Sequence, residues 1–162
     1  MSLTVSPPLV LPGPSGWSYT LRLPCDSRAP GIARATLRAV LRVHGMGGCA
    51  GVAALLASEL VTNAFLHSGG PCSMGVEERV SGRLRVSVED SNACLPPGFH
   101  APRGAPVPTV PDEAESGRGL SLVRAFASDW GGRVLGGAGG KVLWFELDPA
   151  RDAERPPRHK CR

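Results

Sequence analysis

The residues best equipped for chemistry lie in one stretch, Glu59-Leu60-Val61-Thr62-Asn63-Ala64-Phe65-Leu66-His67. On a helix, Glu59, Asn63 and His67 fall one turn apart along a single stripe. Val52, Leu55, Leu56, Leu60, Val61, Ala64 and Phe65 occupy nearly every other direction. A helix apolar almost all round is a buried one. Its carboxylate and amide then need partners, because an unpaired buried charge is very costly. Two kinds of partner satisfy that demand: a neighbouring arginine, or a bound metal and nucleotide. Asn63 can offer its amide oxygen to Mg2+, a hard ligand for a hard ion, or be a satisfied helix residue. Glu59 can act as a general base or pair with an arginine.

Two other features have matching chemistry. Asp90 closes a strand-like segment, where a carboxylate either accepts hydrogen bonds from an exocyclic amine or forms a turn. Gly117-Arg118-Gly119-Leu120 leads into a helical pattern over Ser121 to Ser128. A helix N-terminus offers free backbone N–H groups and a partial positive charge, and glycines permit close approach. That pair is therefore either a phosphate cradle or a tight turn.

The elements that position these residues are readable in order. The 162 residues suit one domain with a real core. A leader, 1–16, is rich in Pro, Ser and Gly and reads as disordered. Trp17, Tyr19, Leu21 and Leu23 alternate with Ser18, Thr20 and Arg22, a half-buried strand. Pro30 opens a helix, with Asp26 or Ser27 as caps and Ile32, Ala33, Leu37, Val40, Leu41 and Val43 as its apolar face. Arg34, Arg38 and Arg42 make a basic stripe that reads as solvated or as a docking face for an acidic partner. Gly45 to Gly48 separate this helix from the next, about Cys49 to His67, which Ser68-Gly69-Gly70-Pro71 stops. Two strands follow, about Cys72 to Glu78 and Arg83 to Glu89, joined by a turn at Ser81-Gly82. Residues 91–116 contain Pro96, Pro97, Pro102, Pro106, Pro108 and Pro111 and read as a mobile lid over a ligand. Asp129-Trp130-Gly131-Gly132 ends the glycine-led helix. Arg133 to Leu135 and Lys141 to Leu147 form a last pair of strands. The chain frays after Pro149.

Composition excludes several classes. The net charge is +4, and the arginines are scattered, which disfavours direct nucleic-acid binding. Only Lys141 and Lys160 are lysines, a bias that reads as codon usage. The cysteines (Cys25, Cys49, Cys72, Cys94 and Cys161) share no CxxC spacing, so zinc and a disulfide framework are disfavoured, and small buried hydrophobes are expected. No stretch approaches a membrane span of roughly 18 apolar residues, and no signal pattern stands at the N-terminus, so a cytoplasmic protein is expected.

Taken together, the order and spacing resemble the ATPase superfamily shared by histidine kinases, Hsp90, type II topoisomerases and MutL. Glu59 to His67 matches its N box, and Gly117-Arg118-Gly119-Leu120 its second glycine box. Gly139-Gly140-Lys141-Val142-Leu143-Trp144-Phe145 looks like the last strand of the stand-alone bacterial anti-sigma-factor serine kinases. The resemblance implies a Bergerat-type ATP-binding domain over 17–148, with a disordered tail at 149–162. Its fold class would be a two-layer α/β sandwich, a mixed and mostly antiparallel sheet with helices on one face.

Carried over residue by residue, the resemblance implies that Asn63 holds Mg2+ and that Glu59 activates the attacking hydroxyl. Asp90 would read the adenine amino group. Gly117, Arg118, Gly119 and Leu120 would bind ATP at its phosphates, and His67 is undecided between a phosphate contact and a structural role. The implied function is an ATP-dependent anti-sigma-factor serine kinase acting on an antagonist protein, with a sigma factor as second partner and a homodimer as an allowed state. The alternatives are a non-catalytic ATP-binding regulatory module and a scaffold without nucleotide. Two departures stand out. The first glycine box, Asp-x-Gly-x-Gly in the family, is Asp90-Ser91-Asn92-Ala93-Cys94, and a threonine often present in the last strand aligns with Val142.

Overall fold

The computed structural model describes residues 16–80, 82–99, 115–137 and 139–153. The leader up to residue 15, the lid between 100 and 114, and the tail from 154 onward lie outside the described residues. The elements in chain order are β1 (Ser18–Leu23), α1 (Ala29–Val43), a 3-10 turn (Gly47–Cys49), α2 (Ala50–Ser68), β2 (Cys72–Glu78), β3 (Leu84–Asp90), α3 (Glu115–Phe126), β4 (Asp129–Val134), β5 (Lys141–Leu147) and α4 (Pro149–Ala153). The strands form one sheet in the order β1-β2-β3-β5-β4. Each neighbouring pair is antiparallel. This is the expected α/β sandwich, with antiparallel pairing throughout the described strands.

Period-two alternation writes the buried face of the sheet. Met74, Val88 and Leu143 stand opposite one another across β2, β3 and β5, and Val76, Val86 and Phe145 form the next row. All six are buried. Side chains of equal parity share a face, so the same face continues at the strand ends into Asp90 and its partner Lys141.

Helix α2 lies against β2, β3 and β5 and is flanked by α1 and α3. Its buried positions, among them Ala53, Leu56, Ala57, Leu60, Val61 and Ala64, run round much of its circumference. Leu55 and Leu66, at 40% and 57% exposure, are its open side. Gly69 ends it in the left-handed region (φ 65°), a conformation that glycine adopts without strain. By length and composition the span Gly47–Ser68 is apolar enough to cross a membrane, with a mean hydropathy of 1.6. The sequence reading denies any such stretch because it looks for an unbroken apolar run. Packing on both flanks and on the sheet makes α2 a core helix.

Several local expectations need correction. Helix α1 buries Ala29, Ala33, Leu37 and Leu41 at four-residue spacing, while Ile32 and Val43 are exposed at 46% and 81%. A side chain turns by about 100° per residue, so Ile32, one residue from Ala33, and Val43, two residues from Leu41, fall off that narrow seam. Arg34, Arg38 and Arg42 are exposed, as a solvated stripe is. The cap position belongs to Arg28, whose N–H and guanidinium both donate to Asp26. Gly131 and Gly132 do not end a helix but lie inside β4. A Cβ on Gly131 would sit 2.7 Å from the Trp144 ring, and one on Gly132 would sit 2.8 Å from Leu143. The glycines there let neighbouring bulk close over the strand. Residues 149–153 form α4, capped by Asp148 Oδ1 accepting the Ala150 N–H at 3.1 Å. Cys49 and Cys72 are buried, whereas Cys25 and Cys94 are exposed.

The other face of the sheet carries one dense polar cluster. Glu146 is 7% exposed and accepts Arg85 at 2.8 Å, with Arg83 at 3.7 Å and Arg79 at 3.8 Å. The Arg85 guanidinium also lies 4.1 Å from the centre of the Trp144 ring. Replacing Glu146 with Ala removes the common acceptor of three cations. Urea unfolding of Glu146→Ala is expected to show a loss of about 1–3 kcal/mol. A loss below a few tenths would mean that the cluster is held by stacking on Trp144 alone.

Candidate functional site

The helix stripe survives folding with its members in different environments. His67 is exposed, Glu59 is half-buried and Asn63 is 9% exposed. Among the described residues, Asn63 Oδ1 is the one buried side-chain nitrogen or oxygen with no hydrogen-bond partner. Leaving such an atom unsatisfied costs about 1–3 kcal/mol. An amide oxygen that is buried, unpartnered and backed by a rigid helix suits a hard cation. No cluster of three His, Cys, Asp or Glu side chains able to hold a metal occurs among the described residues.

Helix α3 is where the second glycine box meets this stripe. The described part of α3 runs Glu115–Phe126, so Gly117 and Gly119 lie inside the helix and not ahead of it. The side chain of Arg118 lies outside the described residues. Gly119 serves a different purpose: a Cβ there would collide with Glu59 Oε2 and come within 2.8 Å of Glu59 Cδ. The glycine lets α3 close onto the Glu59 carboxylate. Leu120, next along, is 7% exposed and packs in the core, leaving only its backbone for a ligand.

Asp90 is in place but engaged. Its side chain is 2% exposed and that of Lys141 is 1% exposed. Lys141 Nζ donates to Asp90 Oδ1 at 3.0 Å and stands 2.9 Å from Oδ2. Asp90 Oδ1 also accepts the Asn92 N–H at 2.8 Å. Lys141 further donates to the Asn92 carbonyl at 3.2 Å. The residue facing Asp90 across the sheet is thus Lys141, while Val142 faces Glu89. The sequence reading passes over Lys141 as codon bias. Its signal is parity, since Lys141 alternates in phase with the buried Leu143, Phe145 and Leu147.

The loop after Asp90 replaces glycine freedom with side-chain hydrogen bonds. Asn92 Oδ1 accepts the Cys94 N–H at 2.9 Å, and Asn92 Nδ2 donates to the His67 carbonyl at 2.8 Å. His67 thus anchors this loop through its backbone. The expected lid begins as packed structure, because Phe99 is 4% exposed and Leu95 lies against the core. Gly98, at φ 86°, passes beneath the Arg124 guanidinium of α3, and its carbonyl accepts Trp130 Nε1 at 3.4 Å. The apolar pair Leu95 and Phe99 outweighs the prolines around it.

Comparisons with known proteins agree with this geometry. The family model described as histidine kinase-, DNA gyrase B-, and HSP90-like ATPase matches residues 52–151. No curated protein sequence matches the chain. Among solved structures, the RsbU and RsbW domains of Rv1364c from Mycobacterium tuberculosis are similar, with a TM-score of 0.56 and 21% identity. The match covers 80% of this chain and 31% of the other, so this chain spans about a third of that protein's length.

Two outcomes follow from the site. Gly119→Ala places a methyl group where Glu59 now lies, in a helix where alanine is favoured over glycine by up to about 1 kcal/mol. Its melting temperature is expected to stay within a few degrees of the parent, while activity that depends on Glu59 falls at least about tenfold. A large loss of stability instead would make Gly119 a packing residue only. The second concerns Cys72, whose thiol burial pushes up from 9.0 to about 11, with the charge of Asp90 and then Cys25 adding to the effect. The folded state then holds this proton more tightly than the unfolded chain does. Stability is untouched by it below pH 9 and declines as pH rises towards 11. Urea melts at pH 8 and pH 10 should show a smaller decline for Cys72→Ala than for the parent.

Proposed function

The chain belongs to the histidine kinase-, DNA gyrase B- and HSP90-like ATPase family, and we propose that within it the protein is a serine/threonine kinase of the anti-sigma-factor type. It would use Mg-ATP to phosphorylate a serine on an antagonist protein and would hold a sigma factor as its other partner, in the cytoplasm, with a homodimer as its working form. Residues 17–148 would be the ATP-binding domain. The observation that carries the nucleotide part is the buried, unpartnered Asn63 Oδ1. The likeness to a structure containing an RsbW domain supports the kinase part.

The proposed division of labour follows from the chemistry of phosphoryl transfer, which asks mainly for positioning and for neutralisation of charge. Bound Mg-ATP supplies the transferable phosphoryl group and the cation that offsets its charge. Asn63 Oδ1 would be the protein's ligand to that cation. Gly117, Arg118 and Gly119 would bind the phosphate oxygens. Glu59, one helical turn before Asn63, would take the proton from the attacking serine hydroxyl. The close approach of Gly119 to the Glu59 carboxylate supports this reading, since it would hold the base beside the phosphate end.

A second reading, a non-catalytic ATP-binding regulatory module, draws on a specific observation. The 90–94 loop is tied down by Asn92 and Lys141 where the family carries flexible glycines. Incubation with Mg-ATP and a candidate antagonist separates the two. Phosphoserine on the antagonist, lost in Glu59→Ala, is the expected result. ATP binding without any phosphoserine would favour the regulatory module. Calorimetry with Mg-ATP on Asn63→Ala is expected to show affinity reduced by at least about tenfold. Equal affinity in the parent and the variant would remove the metal assignment.

A further inference from the structure

Carboxylates and ammonium groups have a fixed number of hydrogen-bonding positions, and those of Asp90 and Lys141 are nearly all spent on each other. A carboxylate offers about four acceptor sites and an ammonium three donors. Lys141 Nζ has three acceptors within reach: Asp90 Oδ1 at 3.0 Å, Asp90 Oδ2 at 2.9 Å and the Asn92 carbonyl at 3.2 Å. Asp90 Oδ1 takes a second bond from the Asn92 N–H. One acceptor site is left, on Oδ2, and the side chain carrying it is 2% exposed. Lysine is almost never this buried unless paired. Pulling such a pair apart leaves an uncompensated buried charge, so the pair resists opening by an incoming ligand.

We propose that Lys141 is the internal occupant of the base end of the nucleotide site. Its ammonium group stands on Asp90 where the amino group of a 6-aminopurine would donate. The chain would therefore bind purine nucleoside triphosphates through their phosphates and cation and would not distinguish 6-amino from 6-oxo bases. This rests on the nucleotide-binding reading above. It makes Lys141 a specificity-determining residue that acts through Asp90, since its ammonium already stands at 2.9–3.0 Å from both carboxylate oxygens. The consequence differs from that of a purely structural ion pair, whose loss would weaken all nucleotides alike.

The test is calorimetric binding of Mg-ATP and Mg-ITP, which differ at the purine 6-position, to the full chain. The parent is expected to bind the two within about threefold of each other. Lys141→Ser removes the ammonium and opens space beside Asp90, and should favour ATP over ITP by about tenfold, the worth of one hydrogen bond to a charged acceptor. The double variant Asp90→Asn with Lys141→Met buries no lone charge, which guards against loss of folding. It should keep the parent's ATP-to-ITP ratio. A parent that prefers ATP by more than tenfold, or a double variant that loses ATP affinity selectively, would overturn the proposal, because Asp90 would then be reading the base. Equal weakening of both nucleotides in Lys141→Ser would do the same. A parent that binds neither nucleotide would instead overturn the nucleotide reading itself, and this inference with it.

Discussion

A helix with almost no polar side has to be enclosed, and the fold is the enclosure of α2. The sheet covers one side, and α1 and α3 cover the flanks. Burial on the order of that of Leu56, Leu60 and Val61 is worth about 1.5–3 kcal/mol for each large side chain. The same enclosure strips water from Asn63 and partly from Glu59. A polar group in that position raises the energy of the folded state until something pairs with it. The core and the candidate site are therefore one construction: packing that stabilises the domain also leaves an amide oxygen without a partner.

The sheet and α2 were legible because their signals are periodic and depend on few neighbours. Alternation in β2 and β3 and the near-continuous apolar character of α2 survive any tertiary arrangement. Where the reading and the structure part, a local rule meets a long-range partner. Gly131 and Gly132 look like helix stops in isolation, and only the Trp144 and Leu143 side chains above them explain a strand. Phe99 sits in a proline-rich run that reads as a lid, yet it is buried through contacts that no local pattern announces. The membrane-like hydropathy of α2 shows the same ambiguity, since a bilayer and a protein core select similar side chains.

The site was legible in its residues and less so in its connections. Glu59 and Gly119 stand far apart in the chain, and a motif can name both without saying that a Cβ at 119 would meet the Glu59 carboxylate. That relation is steric. His67 was equally hard to assign, because the contact it makes is through a backbone carbonyl that accepts from the Asn92 amide, independent of its imidazole. Lys141 was visible only through strand parity. Read as composition it is one of two lysines, and read as the next residue in phase with Leu143, Phe145 and Leu147 it must enter the core.

Hydrogen-bond satisfaction, applied to both ends of the site, gives opposite answers. At Asn63 an oxygen is buried with nothing to accept, an arrangement with an energetic cost unless a ligand completes it. At Asp90 a carboxylate is buried with three of about four acceptor sites filled by Lys141 and Asn92. A ligand gains most where it completes an unsatisfied group and least where it must displace a complete pair. On that argument the proposed nucleotide would gain most at its cation and phosphates and least at its base. The side-chain ties of the 90–94 loop belong to the same arrangement. Asn92 accepts from Lys141 through its carbonyl and reaches His67 through its amide, so the base end is braced against α2. A glycine at 92 would keep the carbonyl that accepts from Lys141 but could not supply the amide bond to His67.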